Sequence, residues 1–204
     1  MSDTNVAGTS TLARAIAIVT RPTQIWPVIA AEETRSGAVF RSYVLPLALI
    51  GPLCGFIGGQ LFGTAAYGTL GKAGVLSQLV GASVALVLAL LCYLILTAIA
   101  DSLSPRFGGN VAANAASRLI AYGSTPVWLS GLFSLVPSLA PLSILGLYSI
   151  VLIYKGVTPV MGVPKDRAGG YTIALVLCGL VLNIAVLALS VVNMNLIRGM
   201  GLMD

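Results

Sequence analysis

The stretch Leu119–Tyr154, LIAYGSTPVWLSGLFSLVPSLAPLSILGLYSIVLIY, holds 36 residues without one ionised side chain. Soluble domains, about a quarter of whose residues are charged, rarely offer such a run. A charge at the centre of a bilayer costs at least ~2.5–3.5 kcal/mol, so a charge-free run of this length reads as embedded in hydrocarbon. One straight helix of that length would extend ~54 Å, well beyond the ~30 Å of a hydrocarbon core. The run is therefore expected to fold back on itself. Val136-Pro137-Ser138-Leu139-Ala140-Pro141 supplies the turn, because proline removes a backbone donor and disfavours helix in the residue before it.

Outward from this stretch the same criterion finds three more gaps, Ser42–Gly71, Ala73–Ala100 and Ala168–Ile197, of 30, 28 and 30 residues. Each accommodates one crossing of ~20 residues. The expected fold class is all-α: a polytopic integral membrane protein with five transmembrane helices and a short N-terminal interfacial amphipathic segment. The spans are placed at 43–63, 78–100, 118–136, 140–155 and 171–192, within one domain over 41–193. Residues 1–40 form a cytoplasmic or interfacial segment and 194–204 a short tail outside. The whole composition agrees, with 8% charged and 57% hydrophobic residues and a mean hydropathy of +0.99. In water such a chain would lack polar material to cover its surface.

Lys and Arg set the orientation. With the N-terminus in the cytoplasm, Arg14, Arg21, Arg35, Arg41, Arg106, Arg118, Lys155, Lys165 and Arg167 lie inside, and only Lys72 and Arg198 outside. This positive-inside bias puts the C-terminus outside, as five crossings require. The first forty residues do not read as a secretory signal, since their apolar stretch is interrupted by Arg14, ended by Arg21-Pro22 and followed by no A-x-A-like site. Ser10 or Thr11 caps a helix with Leu12, Ile16 and Val19 on one face. Pro22 opens a second, carrying Ile25, Trp26 and Ile29, with Trp26 expected at headgroup level.

Several chemistries fall away. Histidine is absent, which removes His-based metal sites, Ser-His and Cys-His nucleophile pairs and imidazole relays. Cys54, Cys92 and Cys178 lack CxxC spacing and lie in apolar runs, where they act as small hydrophobes. The net charge of +5 is spread along the chain instead of forming an aromatic-interleaved stripe, so anionic lipid headgroups, not nucleic acid, are its expected counter-charge. Gly68–Gly74 contains a Gly-Lys step without Walker spacing and reads as a turn. Glu32 and Glu33 are read as juxtamembrane surface. Polar residues in the spans, among them Gln60, Thr97, Ser124, Thr125 and Asn183, are all uncharged, whereas an ion-coupled pump needs embedded charges. No enzyme activity, cofactor or metal is expected.

Packing signals are stronger. Gly51, Gly55, Gly59 and Gly63 recur every four residues and place a groove on the first span for close helix packing, within the chain or in a homo-oligomer. Pro46 and Pro52 bend the same span. Asp101 at the inner end of the second span opposes the helix dipole, and Arg106 or Arg118 is its expected partner.

Five segments carry a family resemblance: RPTQIWPVIAAEE (Arg21–Glu33), YVLPLALIGPLCGFIGG (Tyr43–Gly59), YGSTPVWL (Tyr122–Leu129), GLYSIVLIYKGV (Gly146–Val157) and GVPKDRAGGYT (Gly162–Thr172). In order and spacing they resemble the Yip (Ypt/Rab-interacting) family of small membrane proteins, bacterial branch. The resemblance implies a five-span domain with a cytoplasmic N-terminus, and a place in a bacterial cytoplasmic membrane. Eukaryotic relatives act in vesicle traffic and bind small Rab-type GTPases, but this N-terminal segment is shorter and the DLYGP-like motif is missing. Positions matching the family pattern are Pro22, Trp26, Pro46, Gly58, Gly109, Tyr122, Pro126, Pro137, Tyr148, Tyr154, Gly156, Pro164, Lys165 and Tyr171. Proline 126 should kink the third span, Tyr154 with Lys155 should anchor the fourth at the headgroups, and Pro164-Lys165 should shape an inner loop. The expected function is a non-enzymatic membrane scaffold or adaptor that self-associates or recruits protein partners at a basic cytoplasmic face. The alternative is a small-solute or ion transporter, channel or lipid scramblase built on the broken first and third spans.

Overall fold

The computed structural model describes residues 10–32, 35–63, 66, 74–109 and 113–199. Lys72, Glu33 and the tail beyond Gly199 lie outside these residues, as does the side chain of Arg198. Two short helices, α1 (Thr11–Thr20) and α2 (Pro22–Ala31), precede the spans. Ser10 caps α1 by accepting from the Ala13 amide, and Pro22 opens α2, where its missing N–H costs nothing.

Among the described residues, four helical stretches are long and apolar enough to cross a membrane: Ser36–Phe62, Val75–Phe107, Pro137–Met161 and Lys165–Leu196. We label the first α3 and the regular helix of the second α4 (Val75–Leu103). A further crossing lies between the second and third of these stretches but is segmented: α5 (Ala115–Gly123), α6 (Thr125–Ser130) and a 3-10 turn, Gly131–Leu135. Its partner in the hairpin is a 3-10 stretch, Pro137–Leu147, that becomes α7 (Tyr148–Met161). The last helix, α8, runs Lys165–Gly199.

The charge-free run thus folds back where proline predicts, at the extended Val136 before Pro137. The helices run past the expected spans. At the end where α1 and α2 pack, here called the base, α3 begins at Ser36 instead of 43, α7 continues to Met161 instead of 155, and α8 begins at Lys165 instead of 171. Charge gaps measure hydrocarbon, not helix. An α8 of 35 residues is ~52 Å long, so a third or more of it must project beyond a ~30 Å core. Exposed Arg41 and Lys155 lie inside helices, short of their base ends, and mark where that projection starts.

Burial follows the same division. The fully buried large side chains, including Trp26, Tyr171, Ile29, Leu119, Leu152 and Met161, gather at the base. The far half is splayed, and α8 beyond Gly179 presents Val181, Ile184 and Leu187 to the surroundings. Asn183 is also exposed there.

Proline breaks are repaired by specific hydroxyls. Pro46 cannot donate to the Ser42 carbonyl, four residues back, and the Thr11 hydroxyl of α1 donates there instead at 2.7 Å. A π-helical turn, Phe40–Val44, precedes it. Pro126 likewise abandons the Tyr122 carbonyl, which accepts from the Thr125 hydroxyl at 2.7 Å, and the Val127 amide finds the Ser149 hydroxyl. With its proton so engaged, Thr125 accepts from Tyr43, whose hydroxyl is 2.7 Å away.

Candidate functional site

At the base, α1 and α2 form a hairpin clasped to the spans. Its largest anchor is Trp26, 1% exposed, whose indole lies against Gly156 of α7 and Leu119 of α5. A Cβ at position 156 would come within 2.7 Å of the Trp26 ring, so glycine makes the seat. The Tyr148 hydroxyl donates to the Val19 carbonyl at 3.3 Å, joining α7 to α1.

A polar cluster holds the other side. Arg14 grips Glu32 with both terminal nitrogens, at 2.7 and 2.8 Å, and donates to the Tyr122 hydroxyl at 3.0 Å. Its guanidinium also lies 5.4 Å from the centre of the Tyr122 ring. Burial alone would pull the Arg14 pKa down, but the hydrogen bonds and charges of Glu32 and Tyr122 more than reverse this, so its net shift is upward and it stays ionised. Glu32 is therefore not free juxtamembrane surface; it is the counter-ion that lets an arginine sit against the spans.

Arg118 is 5% exposed and donates to the Ile29 carbonyl at 3.3 Å. Ile29 lies in the last turn of α2, where its carbonyl also accepts the Glu32 amide at 3.3 Å and the helix dipole is negative, so Arg118 adds a second cap to that helix. The expected inner-face pairing of Asp101 with Arg106 or Arg118 is not what is found among the described residues. Asp101 and Arg106 are exposed at the end of α4, while Arg118 turns to α2.

Several other family-pattern positions converge on the same region. Tyr171 donates to the Ala100 carbonyl at 2.8 Å and meets Phe107 edge-on, ring centres 5.7 Å apart. Tyr122 packs against Tyr43 with ring centres 4.5 Å apart and the planes tilted by 60°. A Cβ on Gly109 would come within 2.9 Å of the Met161 carbonyl. The Pro164 carbonyl accepts from the Arg167 and Ala168 amides and starts α8 beside exposed Lys165. Tyr154 is half exposed on α7, one step from Lys155. Pro137 stands at the far turn.

The glycine row divides. Gly51 faces Gly131 of the segmented crossing so closely that a Cβ on Gly131 would lie 2.7 Å from the Gly51 Cα. Gly55 lies beside Ser134, whose hydroxyl donates to the Gly51 carbonyl at 3.2 Å. Gly63 does not continue the row: the helix ends at Phe62, and Gly63 takes φ +76°. Beyond these contacts α3, α4, α6 and the 3-10 segments diverge around a cavity of about 680 Å³, lined by Gly55, Gly59, Pro52 and Gly81 and by Trp128.

Helices of this length and hydropathy, with a polar clasp at one end, define a polytopic α-helical integral membrane protein. The Yip1 domain family matches residues 16–186 of the 204, and the chain belongs to that family. No curated protein and no solved structure is matched by the chain.

Sequence reasoning missed the Arg14–Glu32 clasp and the role of Arg118. A signal was present. Both arginines sit in apolar helical neighbourhoods, and an ionised group there requires a partner. What the sequence withheld was that α2 and its C-cap Glu32 supply both partners, because that depends on the hairpin angle at Arg21-Pro22.

Proposed function

We propose that this protein is a non-enzymatic membrane scaffold or adaptor whose working surface is the base. The observation that carries the reading is the contrast between the two ends. The base is tightly packed, its N-terminal hairpin is clasped in a fixed position, and Arg21, Arg35, Arg41, Arg106, Lys155, Lys165 and Arg167 are all exposed there. A rigid surface rimmed with cations suits acidic protein partners and anionic headgroups. In this reading the base faces the cytoplasm of a bacterial cell, in line with the positive-inside bias.

A transport reading draws on the cavity between the broken spans. Beneath it, Tyr43, Tyr93, Tyr122 and Thr125 are buried and close the cavity toward the base, which favours the scaffold reading. The test is gentle solubilisation of native membranes, crosslinking and mass spectrometry of what co-purifies. The wild-type chain should bring down discrete partners or oligomers that the Arg106→Glu/Lys165→Glu variant loses. A monomer with no partner in either form would overturn the proposal.

A further inference from the structure

We infer that the cavity in the far half holds one acyl chain of a phospholipid from the leaflet opposite the base. The inference is independent of the scaffold reading.

The walls are apolar by construction. On α4 the small residues Gly81, Ala82, Ala85 and Ala89 form one face, opposite Gly55 and Gly59 of α3. Faces of this kind ordinarily press helices together. Here they stand apart: a Cβ on Gly81 would meet nothing within 4 Å. The lining serines contribute no free donor. Ser130 donates to the Val127 carbonyl at 2.8 Å, Ser134 to Gly131 at 2.6 Å, and Ser143 to Ala140 at 2.7 Å. A buried water needs two to four polar partners, and below Gln78 at the mouth the lining offers only these already engaged hydroxyls. An empty space of this size would forfeit the dispersion contacts of every wall. The remaining filler is the surrounding hydrocarbon, and exposed Ala85 and Ala140 leave the cavity open to it.

Dimensions and polarity select a lipid over another helix. From Gln78 to Ala89 the α4 wall rises 11 residues, or ~16 Å at 1.5 Å per residue, close to half of a ~30 Å hydrocarbon core. The mouth is polar, with Gln78 one turn from the start of α4, and the floor at Leu47 and Ala48 is apolar and buried. A polar mouth, an apolar shaft one leaflet deep and a closed floor fit a single chain beneath its headgroup. A second copy of this protein would have to place a helix about 10 Å across in a recess of about 680 Å³.

Trp128 lines the cavity, and the chain has only two tryptophans. The full-length protein, reconstituted in phosphatidylcholine vesicles with brominated acyl chains, therefore reports occupancy by quenching. Subtracting the Trp128→Phe emission from that of wild type isolates Trp128. That emission should be strongly quenched, and Gly81→Leu/Ala85→Phe, which fills the cavity without touching the base, should lose most of the quenching at unchanged melting temperature. Native mass spectrometry should show one phospholipid retained by wild type and lost from the filled variant. Equal quenching in both proteins would overturn the inference, because Trp128 would then be sensing bulk lipid only. Weak quenching in wild type, with disulfide-linked dimers formed through Gly81→Cys, would overturn it in favour of a second copy.

Discussion

At the residue scale the base is decided by a few contacts that α2 and its C-cap Glu32 make with the rest of the chain. Glu32 and Arg14 are 19% and 11% exposed, so their pair lies between the exposed regime, worth about 0–1 kcal/mol, and the fully buried one, where removing one partner costs about 3–5 kcal/mol. Glu32→Gln should therefore destabilise by about 2 kcal/mol, read as a lower melting temperature in detergent. Arg14→Met/Glu32→Leu should lose less than Glu32→Gln alone, because no unpaired charge remains. Gly156→Leu should expel Trp26 from its seat. In a Trp128→Phe background its emission should shift to the red, and the stability loss should approach the ~3–5 kcal/mol typical of removing a buried aromatic side chain. None of these roles could be read from spacing, because each joins segments far apart in the chain: Arg14 to Tyr122, Arg118 to Ile29, Trp26 to Gly156.

At the element scale proline and glycine were the legible signals, and their partners were the hidden part. Pro137 announced the hairpin and Pro126 the break in the third crossing, but nothing local said that Thr125 and Thr11 would take up the freed carbonyls. The glycine row of α3 was legible as a small-residue row, of which Gly51 makes the close contact. Its partner, Gly131, lies in a 3-10 turn that no periodicity marks. The contact is asymmetric, since a Cβ on Gly51 would find 3.7 Å to the Gly131 Cα while one on Gly131 would find 2.7 Å to Gly51. Gly131→Ala should thus lower the melting temperature of the purified protein, and Gly51→Ala should change it little. Similar losses from both would mean that the two helices do not approach as described.

At the scale of the whole molecule, one end is a packed polar-clasped core and the other a set of splayed apolar helices. Charge-free stretches made the crossings visible because ionised groups are excluded from hydrocarbon, and the same rule hid the base, where helices continue past the bilayer and carry charge again. The long α8, exposed through most of its far half, is a helix that only lipid can solvate. The central claim is that the chain crosses the bilayer five times, with the segmented stretch Ala115–Leu135 counted as one crossing. Reporters fused separately to Met1 and Asp204 test it most directly. The account predicts opposite compartments, the N-terminal reporter in the cytoplasm and the C-terminal one outside; both reporters on the same side would contradict it.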